Sequence, residues 1–384
     1  MTSPDRSRAL VVGAGIGGLA AAIALSRAGF SVIVLERASE LRELGFALLL
    51  APNAMRALRV LGVADQVTTR AEVAREGQLR TTTGRVLKQV SLAGLRRATG
   101  EDSVCALRQV VYGSLLDAAQ SCGVEVRTGA QALGFEETPS GVELVVLGSE
   151  RVAGALLVGA DGIHSTLRAA LHGDSLRPSG LCAYRGVSRG VSFPVTGAQY
   201  FGRGTECGVG RAGGDAVYWY VCEKQNAAHA ELAPKQAALE IVRGFDPALV
   251  ELVQHTEPDD VRRDEMFDRK PLANWGRGRV TLLGDAAHPM LPHAGQGAAQ
   301  ALEDAVVLGR CLAKDGNIET ALRRYERLRA PRANHVVVLS RRNAKVGSLE
   351  ARWSCALRDW FLQHGPSALM EKQMSQLANA SLEV

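Results

Sequence analysis

Three groups of residues in this chain have the types and spacing to hold a ligand. The first is Gly13, Gly15 and Gly18 in the run GAGIGG, with Glu36 eighteen residues past the last of them. Gly13 permits a tight turn, Gly15 lets a pyrophosphate approach the backbone, and Gly18 lets a helix pack closely on a strand. Glu36 can accept hydrogen bonds from a ribose diol. The second group is GADGIHSTLR at 159–168, an Asp161-Gly162 turn followed by Ser165 and Arg168. The third is GDAAHPMLPHAGQG at 284–297, which offers a Gly-Asp turn, two prolines and a glycine-flanked Gln296 before a helix. A backbone-exposing loop that ends on a helix N-terminus suits an electron-rich partner.

Elements of fixed kinds must position these groups. Residues 9–12 read as a buried strand and 19–27 as an Ala- and Leu-rich helix closed by Gly29. Residues 31–35 read as a second strand with Glu36 at its end. Strand, G-x-G-x-x-G, helix, strand and acid together make a dinucleotide site, without choosing between NAD(P) and FAD. Glu36 argues against a 2′-phosphate there, since two negative groups would face each other. Arg37 is either a phosphate partner or a solvated side chain, and Arg42 either meets a phosphate or ring carbonyl or lies on the surface. Asn53 is placed to cap a helix over 54–60. Arg108 stands between a strand at 104–107 and a helix over 109–121, where it meets a cofactor or closes a salt bridge. Runs at 124–127, 131–137 and 142–147 read as an antiparallel meander. Asp161 and Ser165 can equally be helix caps.

From about 182 to 269 the texture changes to that of a second sheet, with Tyr184-Arg185-Gly186 and the aromatic run Tyr218-Trp219-Tyr220. On a strand that run puts two tyrosines on one face, as core or as pocket lining. Residues 235–254 read as one or two helices. Residues 279–283 form a strand leading to a helix whose Leu302, Ala305 or Val306, Gly309 and Leu312 face inward. An Arg-rich helix over 319–345 has Leu322, Tyr325, Leu328 and 336–339 as its buried positions. A last amphipathic segment, 353–370, is interrupted by Gly365-Pro366, and these helices are expected to cover the cofactor domain.

Composition narrows the class. The 384 residues are 46% hydrophobic, enough for a sizeable core, and the net charge of +5 is spread along the chain. Arginine supplies 38 of the 45 bases and lysine seven. No basic block is interleaved with aromatics, which argues against nucleic acid, while the mild excess favours anionic ligands. Seven cysteines, an odd number without a C-x-x-C pair, indicate reduced thiols in a cytoplasmic protein. Residues 1–8 have no signal-peptide core, no apolar run nears the ~20 residues of a membrane span, and no spacing resembles a metal site.

In this order and spacing the three blocks resemble the class A flavin-dependent aromatic monooxygenases, the p-hydroxybenzoate hydroxylase-like group. The QGAAQALEDA continuation is most similar to the branch holding salicylate and urate hydroxylases and zeaxanthin epoxidase. The resemblance covers most of residues 8–345. It implies an α/β fold: a Rossmann-like FAD-binding domain of glutathione-reductase type with a β-meander, an inserted α+β substrate domain with a mixed sheet, and C-terminal helices. The corresponding boundaries are 1–75 with 98–180 and 271–345 for FAD, 76–97 with 181–270 for substrate, and 346–384 for the helical end.

The resemblance implies extended FAD with Gly13, Gly15 and Gly18 at the pyrophosphate, Glu36 on the adenosine ribose and Arg108 near the ribityl-phosphate. It sets Asp161 near the pyrophosphate and the path of the nicotinamide donor, and Asp285 on the ribityl or pyrophosphate. Pro292 and the backbone of Gly295, Gln296, Gly297 and Ala298 would lie beside the flavin ring, with Arg42 close to it. Tyr184-Arg185-Gly186 is similar to the W-R-G start of the family's substrate sheet. NADH or NADPH would reduce the flavin, and dioxygen would add to give a 4a-hydroperoxyflavin that passes one oxygen atom to an aromatic or polycyclic ring. Arg185, Tyr184, Tyr218, Tyr220, His293 and Pro292 are the candidates for the catalytic side. FAD-dependent epoxidation is the alternative, ahead of a non-monooxygenase flavin oxidoreductase. A monomer and a homodimer are both open. No W-x-W-x-I-P block of a flavin halogenase occurs, and an NAD-dependent dehydrogenase would leave 284–297 without a role.

Overall fold

The computed structural model describes residues 8–41, 45–379 and 381–384. The apolar runs Arg8–Val12, Ser31–Leu35 and Leu156–Gly159 are buried on both faces, as strands of a covered parallel sheet must be. With Val280–Leu282 and Glu125–Arg127 they form five parallel strands in the order Val280–Leu282, Leu156–Gly159, Arg8–Val12, Ser31–Leu35, Glu125–Arg127. Helices Ile16–Arg27, Arg108–Ser121 and Gly297–Lys314 pack together over this sheet and share its hydrophobic core. The sheet ends therefore present the turns at 13–15, 160–162 and 283–285 side by side.

Two assignments shift here. Glu125–Arg127 joins the parallel sheet beside Ser31–Leu35, and the meander consists of Ala132–Thr138, Gly141–Val146 and Arg151–Gly154. A strand that follows a helix returns to the parent sheet by a parallel crossover, and three residues are too few to show alternation. Asn53 is not a cap but the second residue of helix Pro52–Val60, fully buried, with Ala51 at the N-cap. Pro52, with its preset φ and missing N–H, starts the helix instead.

A seven-stranded mixed sheet runs Val261–Asp268, Arg177–Ser188, Val217–Lys224, Thr205–Arg211, Gly197–Phe201, Glu76–Thr81, Val86–Ser91. Only Gly197–Phe201 and Glu76–Thr81 pair in parallel. Helices Pro234–Ile241 and Pro247–His255 cover one face, where Trp219 is buried and donates to Thr256 Oγ1 at 2.8 Å. The opposite face looks toward the small sheet of Ala47–Leu50, Ser103–Leu107 and Glu72–Ala74.

Helix Ile318–Gly347 buries Leu322 and Tyr325, yet Leu328 and Val338 are exposed, because a helix of this length keeps an outward stripe. Ser367–Ala378 packs on Pro52–Val60 and Ala93–Thr99, whereas Arg352–His364 lies on Val86–Ser91 of the seven-stranded sheet. No helix among the described residues is long and apolar enough to cross a membrane. The seven cysteines are free thiols.

Candidate active site

The first turn is shaped by its glycines. Gly13 has φ +100°, and a Cβ there would stand 2.5 Å from the Ala160 carbonyl oxygen; one on Gly18 would stand 1.9 Å from that of Gly13. A Cβ on Gly15, at the N-cap of Ile16–Arg27, would meet nothing within 4 Å. Two glycines thus serve close packing, and the third borders open space at a helix N-terminus, as an approaching pyrophosphate requires. Glu36 is half-buried and accepts from the Ala14 N–H at 2.8 Å and the Ala38 N–H at 2.9 Å. Its carboxylate is held in place with acceptor sites left for a diol. Arg37 is exposed next to it, and Arg42 lies outside the described residues.

Asp161 takes the capping role, one of the two readings open to it. Ser165 Oγ donates to Oδ1 at 2.5 Å and the Thr166 N–H to Oδ2 at 2.8 Å, so the carboxylate caps helix Thr166–His172. Burial pushes this carboxyl upward despite those donors. Its backbone still borders the cradle, 3.0 Å from where a Gly13 Cβ would be. Arg168, fully buried, reaches the carbonyls of Ala286 and Ala287 and so ties the second block to the third.

Asp285 is solvent-exposed yet surrounded by protein, as a side chain lining a deep cleft is. This crowding raises its carboxyl, while His288 and Arg108 act to lower it. Arg108, the first residue of helix Arg108–Ser121, lies across Gly45, where a Cβ would come 2.4 Å from its Cδ. Pro292–Ala294 forms one 3-10 turn, Gly295 takes φ +61°, and Gly297 opens the helix Gly297–Lys314. Pro292 and Gly295 are exposed, and Gly297 and Ala298 half-exposed. The Gln296 side chain is buried, and its Oε1 accepts from Asn53 Nδ2 at 2.9 Å, so it braces the turn.

That bracing belongs to a buried polar network the sequence reading missed. Asn53 donates to Glu303 at 2.6 Å; Arg329 binds Glu303, Asp304 at 2.7 Å and Gln300 at 2.8 Å; Arg332 binds Glu303 at 2.7 Å. Asp304 accepts from the Gly284 N–H at 3.0 Å and stands 2.5 Å from His288 Nε2. Its carboxyl is penalised by burial but lowered overall by His288 and Arg329. The signal was legible: Gln296, Gln300, Glu303 and Asp304 recur at helical spacing on an otherwise apolar helix, and a buried polar stripe demands partners.

The substrate-side candidates divide by strand alternation. Arg185 pairs across the ladder with Tyr220, and Val187 with Tyr218, on the face turned away from the covering helices. Tyr184 lies on the other face, 1% exposed, in the cluster with Trp219 and Val221. It is a core residue, and the expectation that it meets substrate is corrected. On the open face Arg185 bonds Asp264 at 3.2 Å, and Tyr218 stacks near Phe46 with centroids 6.3 Å apart. The Tyr220 hydroxyl donates to Glu206 Oε1 at 3.0 Å, and Gln199 Nε2 donates to the same oxygen at 2.7 Å. Glu206 is 4% exposed, and burial raises its carboxyl. Gly208 leaves room for the Tyr220 ring, which would stand 2.1 Å from a Cβ there. Glu206 and Gln199 were not anticipated, since an acid and an amide on neighbouring strands have no fixed sequence spacing.

His293 joins the two halves. Its Nε2 stands 3.8 Å from Cys222 Sγ on the seven-stranded sheet, and its Nδ1 is buried without a partner among the described residues. Burial, with the Arg185 charge, pushes its pKa down to about 4. The loop at 292–297 therefore meets the Arg185–Tyr220 face. Among the described residues no cluster of His, Cys, Asp and Glu could hold a metal ion.

Comparison with known proteins agrees with this geometry. Residues 6–340 match the model of a family described as FAD binding domain. The chain is 34% identical over 363 residues to the aurachin C monooxygenase/isomerase of Stigmatella aurantiaca, covering 92% of this chain and 93% of that protein. It is 35% identical over 345 residues to 3-hydroxybenzoate 6-hydroxylase 1 of Aquipseudomonas alcaligenes, covering 86% and 87%. The crystal structure of Klebsiella pneumoniae HpxO complexed with FAD and uric acid superposes with a TM-score of 0.91 at 27% identity, over 98% of this chain and 97% of that one. The open cradle at Gly15, the anchored Glu36 and the cleft-lining Asp285 fit FAD, and the chain belongs to the FAD-binding-domain family as a class A flavin-dependent aromatic monooxygenase.

Proposed function

We propose that this monooxygenase uses NADH or NADPH and dioxygen to hydroxylate a small planar aromatic carrying an acidic or anionic substituent. Bound FAD supplies the reduction and oxygen-activation chemistry. In this reading residues 76–97 and 181–270 hold the substrate, and the remainder up to 345 holds the cofactor. The backbone at Gly13, Gly15 and Gly18 takes the pyrophosphate, Glu36 the adenosine ribose, and Arg108 and Asp285 the ribityl-phosphate region. Pro292 and the backbone of Gly295, Gln296, Gly297 and Ala298 flank the ring. The N-terminus of the 18-residue helix stabilises negative charge there by about 0.3–2 kcal/mol.

The observation that carries the reading is the meeting of His293 with the Arg185–Tyr220 face. Arg185 supplies a fixed cation for an anionic substituent. His293, neutral at physiological pH, can accept a proton from a phenol or ring N–H, and Tyr220 with buried Glu206 can pass one on. Phe46, Tyr218 and the surrounding apolar walls exclude water. Relatives named as hydroxylases of 3-hydroxybenzoate and urate support hydroxylation of an electron-rich ring. The test uses FAD-reconstituted protein, a panel of hydroxybenzoates, purines and quinolines, and both nicotinamide donors. Donor oxidation stimulated by a panel member, with a product one oxygen atom heavier, is expected. Substrate-independent donor oxidation without product would refute the proposal.

A further inference from the structure

Helix Arg352–His364 is mounted inside out. It buries Cys355 and Arg358, the latter donating to the Gly202 carbonyl at 3.0 Å and pairing with Asp359 at 2.9 Å. Its outer face carries Trp353, Leu357, Trp360 and Phe361, which are 74, 58, 59 and 53% exposed. These positions fall at i, i+4, i+7 and i+8, one contiguous stripe. An amphipathic helix left to fold on its own protein would turn that stripe inward. Here polar groups fasten the inner side and the aromatics point to solvent.

The stripe exposes on the order of 500 Å² of apolar surface, given that a fully buried aromatic covers about 150–250 Å². That places it among the largest apolar patches of a typical monomer, about 300–600 Å², which are often functional. It falls short of the ~800 Å² per partner of a standard stable protein interface. The rim is basic. Arg352 begins the helix and is exposed, Arg85 bonds Gln363 near its end, and Arg203 bonds the Glu350 carbonyl before its start. Among the described residues none of these three arginines meets a carboxylate, whereas the neighbouring Glu350 and Asp359 are already paired, with Lys224 and Arg358. Tryptophan, phenylalanine and leucine inside a cationic border match the interface of an anionic bilayer. A groove of about 580 Å³ opens at the same end of the helix, beside Glu350 and Ser354, with Leu181 and Leu291 in its wall. Those two leucines also belong to the cluster that backs Tyr220.

We propose that the Trp353–Phe361 face docks this protein onto an anionic lipid surface. The inference rests on the surface and not on the proposed substrate. The experiment floats FAD-loaded full-length protein with vesicles of phosphatidylglycerol and phosphatidylcholine, and with phosphatidylcholine alone. Binding is expected on the anionic vesicles and is weakened by salt. Brominated lipid should quench the tryptophan emission, a response that belongs to Trp353 and Trp360 because Trp219 and Trp275 are fully buried. The variant Trp353→Ser/Trp360→Ser should bind roughly tenfold or more weaker while keeping its FAD and its melting temperature. Absence of binding to anionic vesicles, or binding unchanged in the variant, overturns the proposal. So does a dimer that the variant disperses without any vesicle binding, which would give the face to a second copy of the chain.

Discussion

Asp304 Oδ2 lies 2.5 Å from His288 Nε2 and 3.0 Å from the Gly284 backbone nitrogen, while its other oxygen holds Arg329 at 2.7 Å. One buried carboxylate thus ties the turn that presents Asp285 to two helices. Breaking a buried ion pair from one side costs about 3–5 kcal/mol, because the partner charge stays buried. Asp304→Asn should therefore lower the unfolding free energy by about 3 kcal/mol and weaken FAD binding through the displaced turn. Denaturant titration and FAD fluorescence measure the two effects. A loss under 1 kcal/mol with unchanged FAD affinity would show that the network does not position the turn.

Gly15 and Gly18 make opposite predictions from one motif. Gly15 has ordinary φ of −72° and open space around it, so Gly15→Ala should fold with near wild-type stability and bind FAD at least about tenfold more weakly. Gly18→Ala would drive a methyl into the Gly13 carbonyl and should fail to give soluble, folded protein. Circular dichroism and FAD titration on the pair separate cofactor approach from helix packing. Full FAD affinity in Gly15→Ala would remove the pyrophosphate from that spot.

His293 gives a pH dependence with a definite sign. Its pKa is about 4 in the folded chain against an ordinary 6.5. Between these values the unfolded chain binds the extra proton, so stability falls as pH drops from about 6.5 toward 4 and levels off below. The ring is half-buried, so solvent screening trims the magnitude. Unfolding free energies of wild type and His293→Asn, compared at roughly pH 7.5 and 4.5, should show the larger acid loss in the wild type. Parallel losses would mean that His293 titrates normally.

Much of this arrangement is legible in the sequence. Turn chemistry is local, so Gly13, Gly15, Gly18, Glu36 and the 284–297 loop could be placed from spacing alone. What escaped depends on contacts distant in sequence. The partners of Gln296 and Asp304 come from Asn53 and Arg329, and Tyr220 meets Glu206 through strand pairing. Tyr184 shows the sharper limit: alternation says that it and Arg185 face opposite ways, but which face is covered depends on helices Pro234–Ile241 and Pro247–His255 docking on one side. Glu125–Arg127 was misplaced for a related reason, since three residues carry no pattern to name the sheet they join.

That alternation can be tested by chemistry. Tyr184 is packed among Cys182, Trp219 and Val221, so Tyr184→Phe, which keeps the ring, should leave turnover within about twofold. Tyr220 faces the other way with its hydroxyl on Glu206, so Tyr220→Phe should lower the hydroxylation rate by about tenfold or more, within the range of a lost proton-transfer group. Glu206→Gln keeps an acceptor for the Tyr220 hydroxyl but cannot take its proton. It should therefore resemble Tyr220→Phe in rate while retaining folding and FAD. Product formed per nicotinamide donor consumed is the measurement, because an enzyme that reduces its cofactor but fails at the ring wastes donor as peroxide. Should Tyr184→Phe be the damaging change and Tyr220→Phe the silent one, the substrate would lie on the helix-covered face and the chamber assigned here would be wrong.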